Sequence, residues 1–244
     1  MDDAHRRVTK ALPDRTAASI VSLLQSTLLA ECMGHSLAVR SLLAERLVSQ
    51  ALILDRSLVE ASILLAYFAT KKPRADELAL RYWWRTTNRE HQLVLEAERV
   101  HGVEFAERRR VLLDELEAIK DAATELGVAD YQKKLPSTPD MADASGASKS
   151  VISHGVQLLS LHVHSGRTPL SRRLVPEDGT AGSITPREDS PEWQKHAAEI
   201  AIVALLDAAA AVAALQEWDS ADAVKALSEE ASIGWSSVPN DESL

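Results

Sequence analysis

The feature that most restricts this chain is the stretch from Val48 to Thr70, in which apolar side chains surround the helical axis. Its ionisable residues are Asp55, Arg56 and Glu60. A helix that is apolar on most sides must be buried on most sides, because a solvent-facing helix carries a polar stripe. The chain must therefore build a core from other segments around this one.

Helical periodicity elsewhere in the chain predicts what those segments are. The chain has nine glycines and nine prolines in 244 residues and no alternating run long enough for a strand, so it lacks the turns that a β fold needs. Gly102, Gly127 and Pro191 stand where helices end or begin. We expect an all-α, up-and-down bundle of six or seven helices around the central one. Apolar residues recur at three- and four-residue spacing over 15–47, 74–101, 104–126, 149–164, 191–218 and 219–231.

The same patterns predict one domain, which suits a chain of this length. We expect a flexible N-terminus over 1–13, a helical domain over 14–231 and a C-terminal tail over 232–244. Two long loops, 135–148 and 166–190, are rich in proline, glycine, serine and threonine or aspartate.

The charge distribution bears on the class of partner. The formal charge of −9 lies in residues 137–244, because the preceding residues balance basic and acidic side chains. The basic run Arg108-Arg109-Arg110 lies among acidic residues, which is typical of a solvent-exposed helix face. Nucleic-acid binding usually needs a basic face, so this balance disfavours nucleic acid as the partner.

The sequence also predicts the compartment. The lone cysteine, Cys32, can form no internal disulfide. The segment from Ile200 to Leu215 is mostly alanine, contains Asp207 and falls short of the roughly 20 strongly apolar residues that a membrane span needs. We expect a cytoplasmic protein in which this segment is a buried helix.

The polar residues of the central helix are the first candidates for a site. At about 100° per residue, Arg56 and Glu60 fall among apolar side chains, whereas Asp55 falls beside Ser62 on an apparent wet edge. Since an unpaired buried charge is very unfavourable, Arg56 and Glu60 should pair with each other or with a polar group across the bundle. The pair is then either a structural ion pair at the rim of the core or the polar floor of a cavity for a ligand or substrate.

Three further polar residues lie in predicted apolar surroundings. His162 falls amid the apolar residues of the predicted fifth helix, and His154 lies at the edge of its apolar arc. Each histidine suits either a hydrogen-bonded core residue or an acid–base group. Asp207 either reaches solvent or an arginine, or joins the polar cluster. The predicted binding residues are therefore Arg56, Glu60, His154, His162 and Asp207.

Two of these segments resemble a widespread bacterial family of helical proteins of unknown function. The motifs are Arg-Ser-Leu-x-Glu, from Arg56 to Glu60, and Ser-x-x-Ser-His, ending at His154. The resemblance spans residues 48–164 and implies a helical fold with these three as its characteristic polar residues. Gly155-Val156 departs from the family pattern, which has a proline-containing stretch there.

A weaker resemblance is to the HEPN ribonucleases, on the spacing of Arg85 and His91. It implies a metal-independent ribonuclease of a phage-defence or toxin system, with these two residues as the catalytic candidates. Thr86 departs from that motif, and 18 arginines with 8 histidines predict about two such matches by chance. On a straight helix the two side chains point about 120° apart, so they would need a bend or a partner chain.

No metal or other cofactor is expected. The one Glu-x-x-His sequence, ending at His101, is half of what a di-iron bundle needs. Trp83 and Trp84 are adjacent and cannot both face one core, so one of them packs on another helix or on a second subunit. These two residues are the predicted contact of a homo-oligomer.

Together these features predict a binding or protein-interaction module with a buried polar cluster. The alternative is the HEPN-like ribonuclease, so the sequence leaves open whether the chain is an enzyme.

Overall fold

The central helix lies where the sequence predicts it, surrounded by helices on most sides. The computed structural model describes residues 3–4, 7–8, 20–102, 105–145, 174–177, 180–184 and 191–236. The helices are α1 (Ile20–Ala44), α2 (Val48–Thr70), α3 (Ala75–His101), α4 (Ala106–Glu125), α5 (Thr138–Ser145), α6 (Pro191–Leu215) and α7 (Ala221–Ser236), with a short 3₁₀ turn at Lys72–Arg74. The all-α class is confirmed.

Local signals explain most of the boundaries. Helix α2 begins and ends at the predicted residues. Gly102 follows α3 with φ 64°, and Gly127 follows α4 with φ 66°, so both adopt the left-handed conformation that ends helices. Gly34 does not interrupt α1, because a glycine within a helix weakens it without breaking it.

Both predicted loops, 135–148 and 166–190, contain short elements of regular structure among their described residues. Within the first loop, Ser137 and Asp140 form a capping box in which the Asp140 N–H donates to Ser137 Oγ (3.4 Å) and the Ser137 N–H donates to Asp140 Oδ2 (3.3 Å). This box starts α5, which buries Met141 in the core. A Ser-x-x-Asp signal in the sequence could have revealed this helix.

The second loop contains a small β-hairpin of strands β1 (Leu174–Glu177) and β2 (Thr180–Ile184). The strands are antiparallel, with Leu174 opposite Ile184 and a register irregularity between Val175 and Glu177. In the sequence, Asp178-Gly179 between the strands is a pair typical of two-residue hairpin turns. Helix α7 also extends beyond the predicted end of the domain at 231.

The main core lies around α2, which packs against α1, α5 and α6, while α6 also packs against α1 and α7. Many of the side chains of α6 are those of alanine, and their small size lets neighbouring helices approach closely. The largest side chains with almost no exposure include Leu58, Ile63, Leu65 and Phe68 of α2 and Ile200 and Leu205 of α6.

Helix α6 is the one helix among the described residues that is long and apolar enough to cross a membrane. However, 61% of its most apolar 18-residue window is buried within the bundle. That burial is typical of a core helix, as the sequence predicts for this segment. The location of the protein in the cell stays a prediction.

Helices α3 and α4 form a two-helix hairpin, which we call the arm (Ala75–Glu125). Among the described elements α4 packs chiefly against α3, and the start of α3 packs on α1 and α2. A small second core joins the two helices near the base of the arm, around Leu80 and Ile119. No described residue from Asn88 to Val111 is buried. The distal half of the arm (residues 88–111) therefore has no core of its own.

Leu58→Ala should lower the free energy of unfolding by about 2–5 kcal/mol, because Leu58 is fully buried and its truncation leaves a cavity. Ile53 lies on the solvent side of the same helix at 42% exposure, so Ile53→Ala should cost less than about 1 kcal/mol. Urea unfolding followed by circular dichroism measures both. Equal losses for the two variants would contradict the orientation of α2.

Candidate functional site

Arg56 and Glu60 pair with each other, as the sequence predicts. Arg56 Nε donates to Glu60 Oε1 at 3.0 Å, four residues apart on α2. The side chains are 26% and 41% exposed, which corresponds to an ion pair at the rim of the core, one of the two alternatives drawn from the sequence. Ile53, one of the apolar residues beside the pair, is itself exposed. The pair therefore lies at the boundary between core and solvent.

The buried carboxyl of α2 is Asp55, which the sequence placed on a wet edge. Asp55 is 0% exposed, and neither of its oxygens has a hydrogen-bond partner among the described residues. Its face also carries the small residues Ala51 and Ser62, both buried. In the sequence, small side chains suggest a helix face that is exposed to solvent, but here they allow neighbouring helices to pack closely. Burial raises the pKa of the Asp55 carboxyl well above its ordinary value.

Helices α1, α2 and α3 meet near the Arg56–Glu60 pair. Burial, followed by the nearby charges of Glu31 and Glu60, raises the pKa of Tyr82 on α3. One guanidinium nitrogen of the pair, Arg56 Nη1, is buried without a hydrogen-bond partner in the described region. Cys32, which is fully buried nearby, has its thiol pKa raised to about 12 by burial, so it is an unreactive core residue.

Asp207 of α6 lies against α7, where Ser228 Oγ donates a hydrogen bond to Asp207 Oδ1. The side chain is only partly exposed, and burial raises its pKa to about 6 although the bond from Ser228 lowers it. The structure thus gives Asp207 a hydroxyl partner on α7. It does not bring Asp207 into one cluster with Arg56 and Glu60. The two histidine candidates, His154 and His162, lie outside the described residues.

The ribonuclease candidates lie on one continuous helix, α3. Arg85 is exposed and His91 is half-buried, and no hydrogen bond joins them. Their catalytic role stays a prediction. Within the described part of the chain, no group of three or more His, Cys, Asp or Glu side chains is placed to hold a metal ion.

Trp83 and Trp84 pack within the chain, on two different sides of α3. Trp83 Nε1 donates a hydrogen bond to Glu115 Oε1 of α4. Trp84 makes an edge-to-face contact with Tyr131, with ring centroids 6.5 Å apart. Both rings belong to the small core at the base of the arm. A role for these two residues in a homo-oligomer stays a prediction.

The distal half of the arm carries the most unusual surface, which sequence reasoning missed. Leu93 and Val100 are 57% and 58% exposed, although such residues in a helix usually face a core. The signal in the sequence is the three- and four-residue spacing of apolar residues along α3, which predicts a covered face without saying what covers it. Other exposed apolar residues of the arm are Leu95, Phe105, Val111 and Leu113.

Polar contacts hold the two helices of the arm together. Glu98 accepts hydrogen bonds from Arg109 Nη1 (2.9 Å) and from the Phe105 N–H (2.9 Å). Glu115 accepts a bond from Thr87 Oγ1 (3.1 Å) besides that from Trp83. Arg108 Nε donates to Glu90 Oε1 at 2.8 Å. The two helices of the arm are thus joined by charged and polar side chains on either side of the buried Leu112 of α4.

Comparison with known proteins identifies the family. The model of a family of unknown function, DUF5677, matches residues 23–181. The chain belongs to the DUF5677 family. No curated protein matches the chain. No solved structure matches it either.

Membership in DUF5677 confirms the resemblance to a helical family of unknown function. The match runs from within α1 to the start of β2, so it includes both the Arg56–Glu60 pair and the whole arm. Helices α6 and α7, with Asp207, follow the matched residues.

The two carboxyls with raised pKa values make the stability of this DUF5677 protein depend on pH. The folded state favours the neutral form of each, so their contribution is complete below the unfolded pKa and is lost as pH rises through the folded pKa. For Asp207 this window runs from 3.8 to about 6, which corresponds to at most about 3 kcal/mol. Asp55→Asn and Asp207→Asn should each raise stability at pH 8 and change it little at pH 4, measured by urea unfolding.

The control for this prediction is Asp121→Asn, which changes an exposed carboxyl. It should leave the difference in stability between pH 4 and pH 8 unchanged. Destabilisation by Asp207→Asn at pH 8 would show that the ionised carboxylate contributes to folding.

The partial exposure of the Arg56–Glu60 pair also predicts how much the pair contributes to the free energy of unfolding. Glu60→Gln should cost less than about 1 kcal/mol of unfolding free energy, because half-exposed ion pairs are screened by water. Glu117→Gln, which breaks an exposed pair with Lys120, is the matched control. A loss of about 3 kcal/mol or more for Glu60→Gln alone would place its carboxylate in a desolvated site.

Proposed function

We propose that this DUF5677 protein is a protein-interaction module whose contact surface is the distal half of the arm. The observation that carries this proposal is the exposure of apolar side chains along a long hairpin in which no described residue from Asn88 to Val111 is buried. Two helices alone bury only one face of each, so an apolar residue on another face needs a third layer.

The distribution of exposed apolar residues supports this surface over others. Single exposed apolar residues are normal on any protein, whereas a concentration of them marks an interaction site. Among the described residues, the bundle exposes a few scattered ones, namely Leu23, Leu37 and Ile53. The arm and the turn after it expose seven: Leu93, Leu95, Val100, Phe105, Val111, Leu113 and Leu126.

The polar contacts within the arm support a binding role as well. The bonds to Glu98 and Glu115 cross between the helices and order the hairpin without using the apolar side chains. A preordered surface loses little conformational entropy on binding, which favours affinity. The bundle would then serve as the support that presents the arm.

The polar residues of the bundle fit this function as parts of the support. Asp55 lies on the buried face of α2, and Asp207 links α6 to α7 through Ser228. Neither lies on the arm. A ligand role for Arg56, Glu60, His154, His162 or Asp207 stays a prediction beside this proposal.

A photo-crosslinking amino acid placed at Val100 tests the proposal in the cells that make the protein. We expect covalent adducts to a protein at this position, because Val100 is the most exposed of the large apolar residues described in the arm. The same amino acid at Lys225, which is 70% exposed on α7, is the matched control and should give none. No adduct at position 100, or equal adducts at both positions, would overturn the proposal.

A further inference from the structure

We infer that the partner of the arm is a second copy of this chain, with the two α3 helices antiparallel and related by a two-fold axis at Leu93. This inference rests on the proposed function, because it names the protein that covers the same surface. It follows from the spacing of side chains on α3, from their ion pairs and from the balance of charges in the distal half of the arm.

The residues that would meet form one seam on α3. Thr86, Arg89, Leu93, Glu96 and Val100 follow each other at alternating spacings of three and four, as residues do along one side of paired helices. At about 100° per residue they lie within roughly 80° of each other around the helix. Each of the five is exposed.

The same seam is covered at the start of α3. Continuing its spacing toward the N-terminus gives Tyr82 and Ala79, which pack in the main core of the bundle. The face of α3 that is buried near its start thus continues as the exposed seam in the distal half. One face of α3 is therefore covered by the bundle near its start and exposed in its distal half.

A two-fold axis at Leu93 brings opposite charges together. In antiparallel helices, residues at equal distances on either side of the axis meet, so Leu93 faces Leu93 of the second copy and Thr86 faces its Val100. Arg89 is four residues from the axis and Glu96 is three, so Arg89 lies within about 1.5 Å of the height of Glu96 of the second copy, and by symmetry this pair forms twice. Glu90 lies at the same height as that Glu96 but is already paired with Arg108 within its own chain. The arrangement is self-complementary in charge.

The ion pairs of the single chain leave these two residues available. Arg89 has no ion pair among the described residues. The one described ion pair of Glu96 is a 3.5 Å contact with Arg99, in which both side chains are largely exposed. Seven residues separate Arg89 from Glu96, a rise of about 10 Å along the helix, so they cannot satisfy each other within one chain.

The charge around the distal half of the arm also favours a second copy over a strongly charged partner. Residues 85–114 contain six arginines and six acidic residues, so their net charge is zero, whereas the whole chain carries −9. A surface for nucleic acid or for an acidic peptide would carry an excess of positive charge. A neutral surface with both signs lets two copies meet while their acidic remainders stay apart.

Charge exchange tests this inference in the purified full chain. Sedimentation velocity should show a dimer, and Arg89→Glu or Glu96→Arg should each weaken dimerisation by at least about tenfold, because like charges then face each other twice. The double variant Arg89→Glu/Glu96→Arg should restore dimerisation to within about threefold of the original. Lys120→Glu, which reverses an exposed charge at the base of the arm, is the control and should leave the dimerisation constant unchanged.

Cysteine substitution tests the position of the axis. Leu93→Cys should form a disulfide-linked dimer under mild oxidation, since only a residue on the axis meets itself. Val100→Cys should not, because two copies of this residue lie about 20 Å apart across the axis, while Thr86→Cys/Val100→Cys should. Cys32 is fully buried and supplies no background.

The outcomes separate this inference from the proposed function. A chain that stays monomeric while position 100 crosslinks to a different protein would overturn the second copy and keep the arm as an interface. Dimers that are insensitive to both charge reversals, or that crosslink through Val100→Cys as readily as through Leu93→Cys, would overturn the antiparallel pairing at Leu93.

Discussion

The burial of α2 is the constraint on which the rest of the structure depends. A helix that is apolar on most sides is stable in water only if other helices cover it. Helices α1, α5 and α6 provide that cover, and the alanines of α6 let it lie close to its neighbours. Helix α7 packs on α6, and the arm extends from the start of α3, which packs on α1 and α2.

Close packing around α2 also decides which of its polar residues are buried and which are hydrated. Asp55 lies on the face that carries small side chains, so it is enclosed and favours its neutral form. Arg56 is one residue further around the helix, far enough for its guanidinium to reach the boundary with Glu60. A difference of about 100° around one axis thus separates an enclosed carboxyl from a hydrated ion pair.

The arm follows a different principle from the bundle. Its base has a small core of its own around Leu80 and Ile119, whereas beyond Thr87 no described residue of α3 is buried, and ion pairs and hydrogen bonds join α3 to α4. Such contacts order a hairpin and leave its apolar side chains uncovered. An ordered surface of this kind is suited to association, and its balance of charges is suited to association with itself.

Much of the fold could be read from the sequence, because helix periodicity and end signals are local. The pattern around Val48–Thr70 predicted the bounds of α2, and Gly102 predicted the end of α3. The pairing of Arg56 with Glu60 also followed from their spacing of four residues. The short elements α5 and the β-hairpin were missed although their signals, a capping box at Ser137 and an Asp-Gly pair, are local too.

The burial of individual faces could not be read in the same way. Periodicity shows which residues share a side of a helix, but the neighbours of that side belong to distant parts of the chain. Asp55 is enclosed because of what packs on α2, and Leu93 is exposed because no described helix covers the distal half of α3. Local hydrogen bonding sets where a helix begins and ends, so the sequence alone determined most helix boundaries. Burial is a property of the whole packed chain, so only the tertiary structure decided which apolar residues form the candidate surface of this protein.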